Sequence, residues 1–227
     1  MSNAGRIGRP RLQPRSPGGE PSNEILAAAS RLFGERGVTG TTMSQIATAA
    51  GLQQSSLYYY FRSKEEILAT LVAKANVVPL QLVRSVRGEP AAPAVRLYRF
   101  VRGDVVALCT LPFDINEVHR YAARDRERFS TYWKERRTLQ STLAAIIQEG
   151  VDNGSLRPVN VRLAALTLMS NDEAVQNWFR HDTRPLRDPV AIGDALADLV
   201  IGGLVADPRT MVEIADLAGR GDDGADD

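Results

Sequence analysis

One cysteine and two histidines are too few for several chemistries that a sequence can announce. Cys109 alone cannot build an internal disulfide framework and fits a reducing compartment. No cysteine or histidine cluster has metal-ligand spacing, so no metal is expected. Net charge is nearly absent at +1, which taken alone says little about nucleic acid. No apolar run approaches a membrane span and no signal-peptide pattern is present, so the expectation is a cytoplasmic protein with no membrane partner. No nucleophile is paired with a base and no Gly-rich phosphate loop follows a strand, so neither an enzyme nor a cofactor is expected. What the chain does have is 44% apolar residues over 227 positions, enough to core one large or two modest domains. Its charge is also unevenly placed. Through residue 65, eight Lys or Arg face four Glu, giving +4; the rest has twenty against twenty-three, giving −3.

Residues Thr42 to Phe61, TMSQIATAAGLQQSSLYYYF, form a helical hairpin pattern with demanding spacing. Counting from Met43, Ala47 is at position five and Gly51 at nine, with Ile46, Ala50, Leu52, Leu57 and Tyr60 at four, eight, ten, fifteen and eighteen. Thr42 and Gln45 make a capping-box pair at the first helix. Gly51 supplies a left-handed turn that a residue with a Cβ enters only at a cost of about 1 kcal/mol or more. Ala47 is small where the second helix crosses. Such a helix-turn-helix lays its second helix, here about Gln53 to Tyr60, in the major groove. The outward residues Gln53, Gln54, Ser55, Ser56, Tyr58 and Tyr59 are therefore the candidate DNA contacts. Amides pair bidentately with adenine, and hydroxyls suit phosphate oxygens. The alternative is an ordinary hairpin of helices with a glycine turn.

The remainder reads as helix. Residues 1–21 are rich in Gly, Pro and Arg and read as a disordered basic arm. Within it Gly8-Arg9-Pro10-Arg11 resembles the AT-hook core, so Arg9 and Arg11 either enter a narrow A·T-rich minor groove or belong to a solvated tail. A helix from Ser22 to about Arg36 ends at Gly37. Another is capped by Ser63 and Glu66, with Lys64 in its first turn, where an ammonium and the helix end can together hold a phosphate. Beyond Pro79 strand signals are absent. Helical patterns run over Pro93–Thr110, Asp114–Ala123, Asp125–Asp152, Val159–Arg180, Pro189–Val205 and Thr210–Ala218. The fold class is all-α: a helix-turn-helix domain over 22–66, a larger helical domain over 67–218, and a disordered acidic tail over 219–227.

The stretch from Ile25 to Leu68 resembles the DNA-binding domain of the TetR family of transcriptional repressors. The matching positions are Leu32-Phe33, Gly37, Thr41-Thr42, Ile46-Ala47, Ala50-Gly51, Leu57-Tyr58, Phe61, Lys64 and Leu68. Many relatives have Lys and Gly where Gln54 and Ser55 stand, and often His at Tyr60, so base preferences do not carry over. The resemblance implies a homodimer whose three-helix DNA-binding domain precedes a larger domain for effector binding and dimerisation. By matching position it puts Thr42, Gln54, Tyr58, Tyr59 and Lys64 on DNA, with Tyr58 and Lys64 on phosphates. The expected function is a ligand-responsive repressor of a pseudo-palindromic operator, its partners being double-stranded DNA, a second copy of itself and a small effector. An enzyme, or an architectural DNA binder without effector, is the alternative.

Pattern alone places the other two sites. Helix Val159–Arg180 has two apolar sides, one with Leu163, Leu166, Ala174 and Trp178, the other with Leu168, Val175 and Phe179. The following helix carries Leu196, Leu199, Val200, Ile201 and Leu204, with Gly202 and Gly203 permitting close backbone approach. Leu168, Val175, Phe179, Leu196, Leu199, Val200, Gly203 and Leu204 are accordingly the candidate dimer residues in a four-helix interface, unless one subunit buries them all. In helix Asp125–Asp152, Arg136 and Gln140 interrupt an apolar stripe. Either Arg136 answers an internal acid such as Asp172, or Arg136 and Gln140 meet the polar or anionic end of a mostly apolar ligand, for instance an acyl-type one. Phe113, His119, Phe129, Tyr132, Trp133, Met169 and Trp178 would line that site.

Overall fold

The hairpin of the sequence forms with the caps it encodes. In the computed structural model, which describes residues 21–111, 113–179 and 188–220, the Gln45 N–H donates to Thr42 Oγ1 at 3.2 Å. The Thr42 N–H returns a bond to Gln45 Oε1 at 2.9 Å, and α2 (Met43–Ala49) begins there. Gly51 takes φ +66° as the turn requires, and α3 (Gln54–Tyr60) follows. Ahead of them α1 (Pro21–Arg36) buries Ile25, Leu26, Ala29 and Phe33. The connection from α1 to α2 leaves no slack. The buried Thr41 hydroxyl donates to Gly37 O at 2.8 Å, and a Cβ on Gly40 would stand 2.4 Å from Arg36 O. Arg9, Arg11 and the rest of residues 1–20, His181 and residues 221–227 lie outside the described residues; of the expected arm Pro21 begins α1, and of the expected tail Arg220 pairs with Asp198 at 2.9 Å.

The next helices are α4 (Lys64–Ala75), α5 (Val77–Gly88), α6 (Pro93–Thr110) and α7 (Ile115–Arg124), then α8 (Ser130–Asp152), α9 (Val161–Glu173), α10 (Val175–Trp178), α11 (Pro189–Gly202) and α12 (Met211–Leu217). Among the described residues there is no β-strand; one isolated bridge pairs Leu156 with Val205. The all-α expectation holds. The sequence pattern misses α5, because Pro79 reads as a break. Pro79 in fact sits in the first turn, where its missing N–H has no intrahelical partner to lose. Together Lys64–Gly88 match a membrane span in length and mean hydropathy, 1.4, against expectation. Their apolar residues Ile67, Leu71, Val72, Leu80, Val83 and Val86 are buried within the protein, as in core helices.

Two compact units result. The first comprises residues 21–71 with 113–118, the second residues 72–111 with 119–220, so the boundary falls a turn beyond the expected residue 66 and a short internal segment joins the first unit. That segment packs on α1: the Asp114 N–H donates to Ser30 Oγ at 3.1 Å, and Glu117 lies against Gly34. Along the chain, α4 and α7 each divide between the units.

In the second unit α6 is the central helix, with Leu97, Tyr98, Phe100, Val101 and Val105 wholly buried. Gly193 of α11 lets that helix close on α6, since a Cβ there would lie 3.0 Å from Arg102 O. The expected helix from Asp125 starts five residues late, because Asp125 Oδ1 accepts from the Arg128 N–H and holds a turn first. The long helix from Val159 breaks at Ala174, separating α9 from α10.

Candidate nucleic-acid interface and effector site

α3 presents one polar face. Leu57 is fully buried, while Gln54, Ser55, Ser56, Tyr58 and Tyr59 are exposed, Tyr59 at 86%. Gln53, the N-cap, is half-buried, and Thr42 is exposed at the start of α2. The Thr42 oxygen accepts from Gln45, so its own O–H is left to donate outward. Tyr60 is not an inward apolar position as the spacing suggests. It is exposed and packs edge-on to Tyr59 at 5.3 Å, and Phe61, one residue on, fills the core instead. Phe61 is the extended C-cap of α3 (φ −139°, ψ 126°), and leaving the helix there turns it inward in place of Tyr60.

Lys64 is placed differently from a residue reaching out to phosphate. Its Nζ donates to the carbonyls of Val38 (2.7 Å), Thr41 (3.0 Å) and Thr39 (3.3 Å). All three N–H donors are engaged, so Lys64 pins the connection that ends at Thr42. The folded part of the first unit also lacks the basic surplus. Residues 21–71 hold four Lys or Arg and four Glu, and residues 113–118 add Asp114 and Glu117.

The second unit gathers a polar cluster. Arg136 of α8 is bidentate on Glu173 of α9, with Nη2–Oε2 at 3.3 Å and a shorter Nη1–Oε1 contact. His119 Nε2 of α7 lies 3.0 Å from Glu173 Oε2, and the Tyr132 hydroxyl bonds to His119 Nδ1. Burial raises the pKa of the Tyr132 hydroxyl, which keeps it a donor. So Arg136 does answer an internal acid, but the partner is Glu173, one residue beyond Asp172. Trp133 donates to Ala122 O at 3.0 Å and carries Arg126 over its ring at 4.1 Å. Met169 and Phe129 are buried, Gln140 is half-buried and Trp178 is exposed. Phe113 is buried and belongs to the first unit.

Two buried acids complete the cluster, one of them unanticipated. Asp104 interrupts the apolar run VRGDVVALC of α6, the signal by which a sequence could have shown it. Burial, reinforced by the Glu173 charge and partly offset by Arg136, pushes Asp104 up to about 7. Burial, then the Asp104 and Glu173 charges, push Asp172 well up too. Burial also acts to raise Glu173, but the His119 hydrogen bond and the Arg136 charge outweigh it and hold Glu173 below the ordinary range.

The stability consequences have opposite signs. Raised carboxyls bind protons in the folded state that the unfolded chain has released, so the Asp104 penalty grows as pH rises from about 4 to about 7, and that of Asp172 has the same sign, growing as pH rises above the ordinary carboxylate range. The Glu173 contribution is present above the ordinary carboxylate range and is lost as pH falls through its depressed value. Asp172→Asn should therefore stabilise the protein by about 1–3 kcal/mol near pH 8 and by much less near pH 4, read from thermal melts. A gain that did not vary with pH would refute the buried charge as its cause.

Of the candidate dimer residues, Leu168 and Val175 are fully buried within the subunit and are core, not surface. Phe179, Leu196, Val200 and Leu204 are half-buried, while Leu199 and Gly203 are exposed. The other side of α9 and α10 is the open one: Leu163, Leu166 and Trp178 are exposed. On α11 the exposed residues Ala191, Ala195 and Leu199 form a stripe.

A capped α2, a glycine turn and an α3 with a polar, hydroxyl-rich outer face, ahead of a larger helical unit, define a helix-turn-helix DNA-binding transcription regulator. Comparison with known proteins agrees. The family model described as bacterial regulatory proteins, tetR family, matches residues 25–71, and the one described as tetracyclin repressor-like, C-terminal domain, matches residues 92–204. The HTH-type transcriptional repressor KstR2 of Rhodococcus jostii is 30% identical over 193 residues, covering 81% of this chain and 90% of its own. The solved structure of the ketosteroid transcriptional regulator KstR2 of Mycobacterium tuberculosis superposes with TM-score 0.71 at 25% identity, over 88% of this chain and all of that one. AmtR of Mycobacterium smegmatis gives 0.70 at 28% identity, over 91% and 96%. The chain belongs to the TetR family of DNA-binding transcriptional regulators.

Proposed function

We propose that the protein acts as a homodimer on a pseudo-palindromic operator and is released by a small, mostly apolar effector held in the second unit. The observation that carries the reading is the α3 surface, where five polar or hydroxyl-bearing side chains face outward over a buried Leu57. Two such helices must meet successive major-groove faces about 34 Å apart. An effector that favours another separation weakens DNA binding by the same factor with which DNA weakens effector binding. α4 and α7 are the covalent routes for that linkage, since the chain passes between the units within them. The role assigned to the arm, with Arg9 and Arg11 in the adjacent minor groove, remains part of this proposal. An anionic, acyl-type head on Arg136 is disfavoured, because Glu173 already neutralises that guanidinium.

The test is to select duplexes from a random pool with the pure protein and then measure affinities by fluorescence anisotropy. A palindromic consensus preferred by about 10³ or more over random sequence is expected. Uniform binding would favour an architectural role. Gln54→Ala should relax choice at one base position per half-site. Lys64→Ala should weaken every duplex by about tenfold with an unchanged salt slope, because it loosens Thr42 and α2 without removing a phosphate contact. A slope that drops by about one per copy would restore Lys64 to the phosphate.

A further inference from the structure

The polar cluster of the second unit holds a carboxylate that nothing answers. Asp172 is 0% exposed, and neither of its oxygens has a hydrogen-bond partner. Asp104 of α6 is buried within electrostatic reach, and Glu173 is adjacent in sequence. The basic side chains nearby are turned elsewhere: Arg136 and His119 both face Glu173. Three acids thus stand against one permanent cation, and a buried carboxylate without a donor is a costly arrangement unless it takes up a proton or a positively charged guest.

The unanswered charge and the apolar side chains beside it favour a guest. The Arg136, His119 and Glu173 side chains keep 17%, 21% and 14% of their surface accessible, while Asp172 is sealed, so a guest would reach it past these three. Met169, one helical turn before Asp172, and Tyr132, bonded to His119, supply apolar surface beside the acids. Among the described residues no group of three His, Cys, Asp or Glu side chains could hold a metal ion. An ammonium brings several N–H donors and the missing charge together, whereas a carboxylate or phosphate would face three acids.

We propose that Asp172 and Asp104 receive the protonated nitrogen of an amine effector whose remainder is apolar. This rests on the reading of the second unit as the effector domain. On binding, the proton held by the acid pair passes to solvent and the ammonium replaces it, so affinity rises with pH between about 6 and about 8. The groups that act on the pair through that range are Asp104 from α6, His119 from α7, Tyr132 and Arg136 from α8 and Glu173 from α9.

Three probes with one apolar body separate the possibilities: hexylammonium, hexan-1-ol and hexanoate. Their affinities for the full-length protein without DNA would be measured by calorimetry near pH 8 and pH 6. Near pH 8 hexylammonium should bind about tenfold or more tighter than hexan-1-ol, with hexanoate weakest. That preference should shrink near pH 6 and vanish in Asp172→Asn. Asp104→Asn, a second isosteric variant, should reduce it if the first does not fold. Absent hexylammonium binding, an equal response to all three probes, or a preference that survives both variants overturns the proposal. Adding the selected duplex distinguishes the two readings. Hexanoate that binds tightest and releases DNA would remove the amine site while leaving the effector-responsive repressor intact. Hexylammonium that binds without altering the DNA complex would keep the site and remove the switch.

Discussion

Deleting residues 1–20 is expected to lower affinity for any duplex by about three orders of magnitude at low salt, while leaving the ranking of sequences largely unchanged. The reason is a charge balance that only the structure divides correctly. Arg6, Arg9, Arg11 and Arg15 against Glu20 make that segment +3, whereas residues 21–71 are neutral and residues 113–118 contribute Asp114 and Glu117. The positive charge of the amino-terminal third therefore belongs to the arm and not to the folded helix-turn-helix unit. Each phosphate neutralised contributes a slope of about −0.9 in log affinity against log salt, so losing up to four arginines per copy should flatten the slope of a dimer by about 3–7. Specificity should survive because α3 carries the base-facing amides and hydroxyls. Anisotropy titrations of the full chain and of residues 21–227 across a salt series would check both effects. An unchanged slope would show that phosphate contact comes from helix ends and hydroxyls alone.

The DNA-reading half was legible because its constraints are local. A capping box, a left-handed glycine and a small residue at a helix crossing each act within a few positions, and Thr42, Gly51 and Ala47 occur in the structure in those roles. Lys64 was legible as important but not as to its partners, since carbonyls twenty-three to twenty-six residues away claim its three donors. α5 was hidden by Pro79, whose meaning depends on whether it stands in a first turn or a later one. The effector region was least legible, because its pattern shows that Arg136 needs an acid without showing which of two consecutive acids faces it. Asp172 and Glu173 differ by 100° around α9, and that angle gives Glu173 the guanidinium and leaves Asp172 without one. Periodicity likewise finds two apolar sides on the helix from Val159 and cannot say which is covered. The packing of α6, α8 and α9 covers Leu168 and leaves Leu163 and Leu166 outside.

That uncovered side carries the second large expectation. Leu166→Arg combined with Leu199→Arg should convert the protein to a monomer and reduce operator affinity by about 10²–10³. Leu199 is 74% exposed, and with Ala191 and Ala195 it forms a stripe of small and apolar residues along α11. At the end of that helix a Cβ on Gly203 would meet only carbonyls of its own preceding turn, so nothing in the subunit demands a glycine there, whereas a closely approaching second backbone would. Leu163, Leu166 and Trp178 leave apolar surface on α9 and α10 as well, and two such helices from each copy suffice for a four-helix, twofold interface. Buried arginines facing their own copies across a twofold axis repel and are desolvated, so the doubled substitution opposes association strongly while touching no core residue of the monomer. The affinity loss follows from geometry. In the dimer, docking of one α3 raises the effective concentration of the other at its half-site, and separate monomers forfeit that gain. Light scattering would report the assembly, circular dichroism the helices, and anisotropy the affinity for the selected duplex. Monomers that keep full helicity and lose operator binding are the expected result; a persistent dimer would move the interface to another face, and monomers with undiminished affinity would remove the twofold from the mechanism.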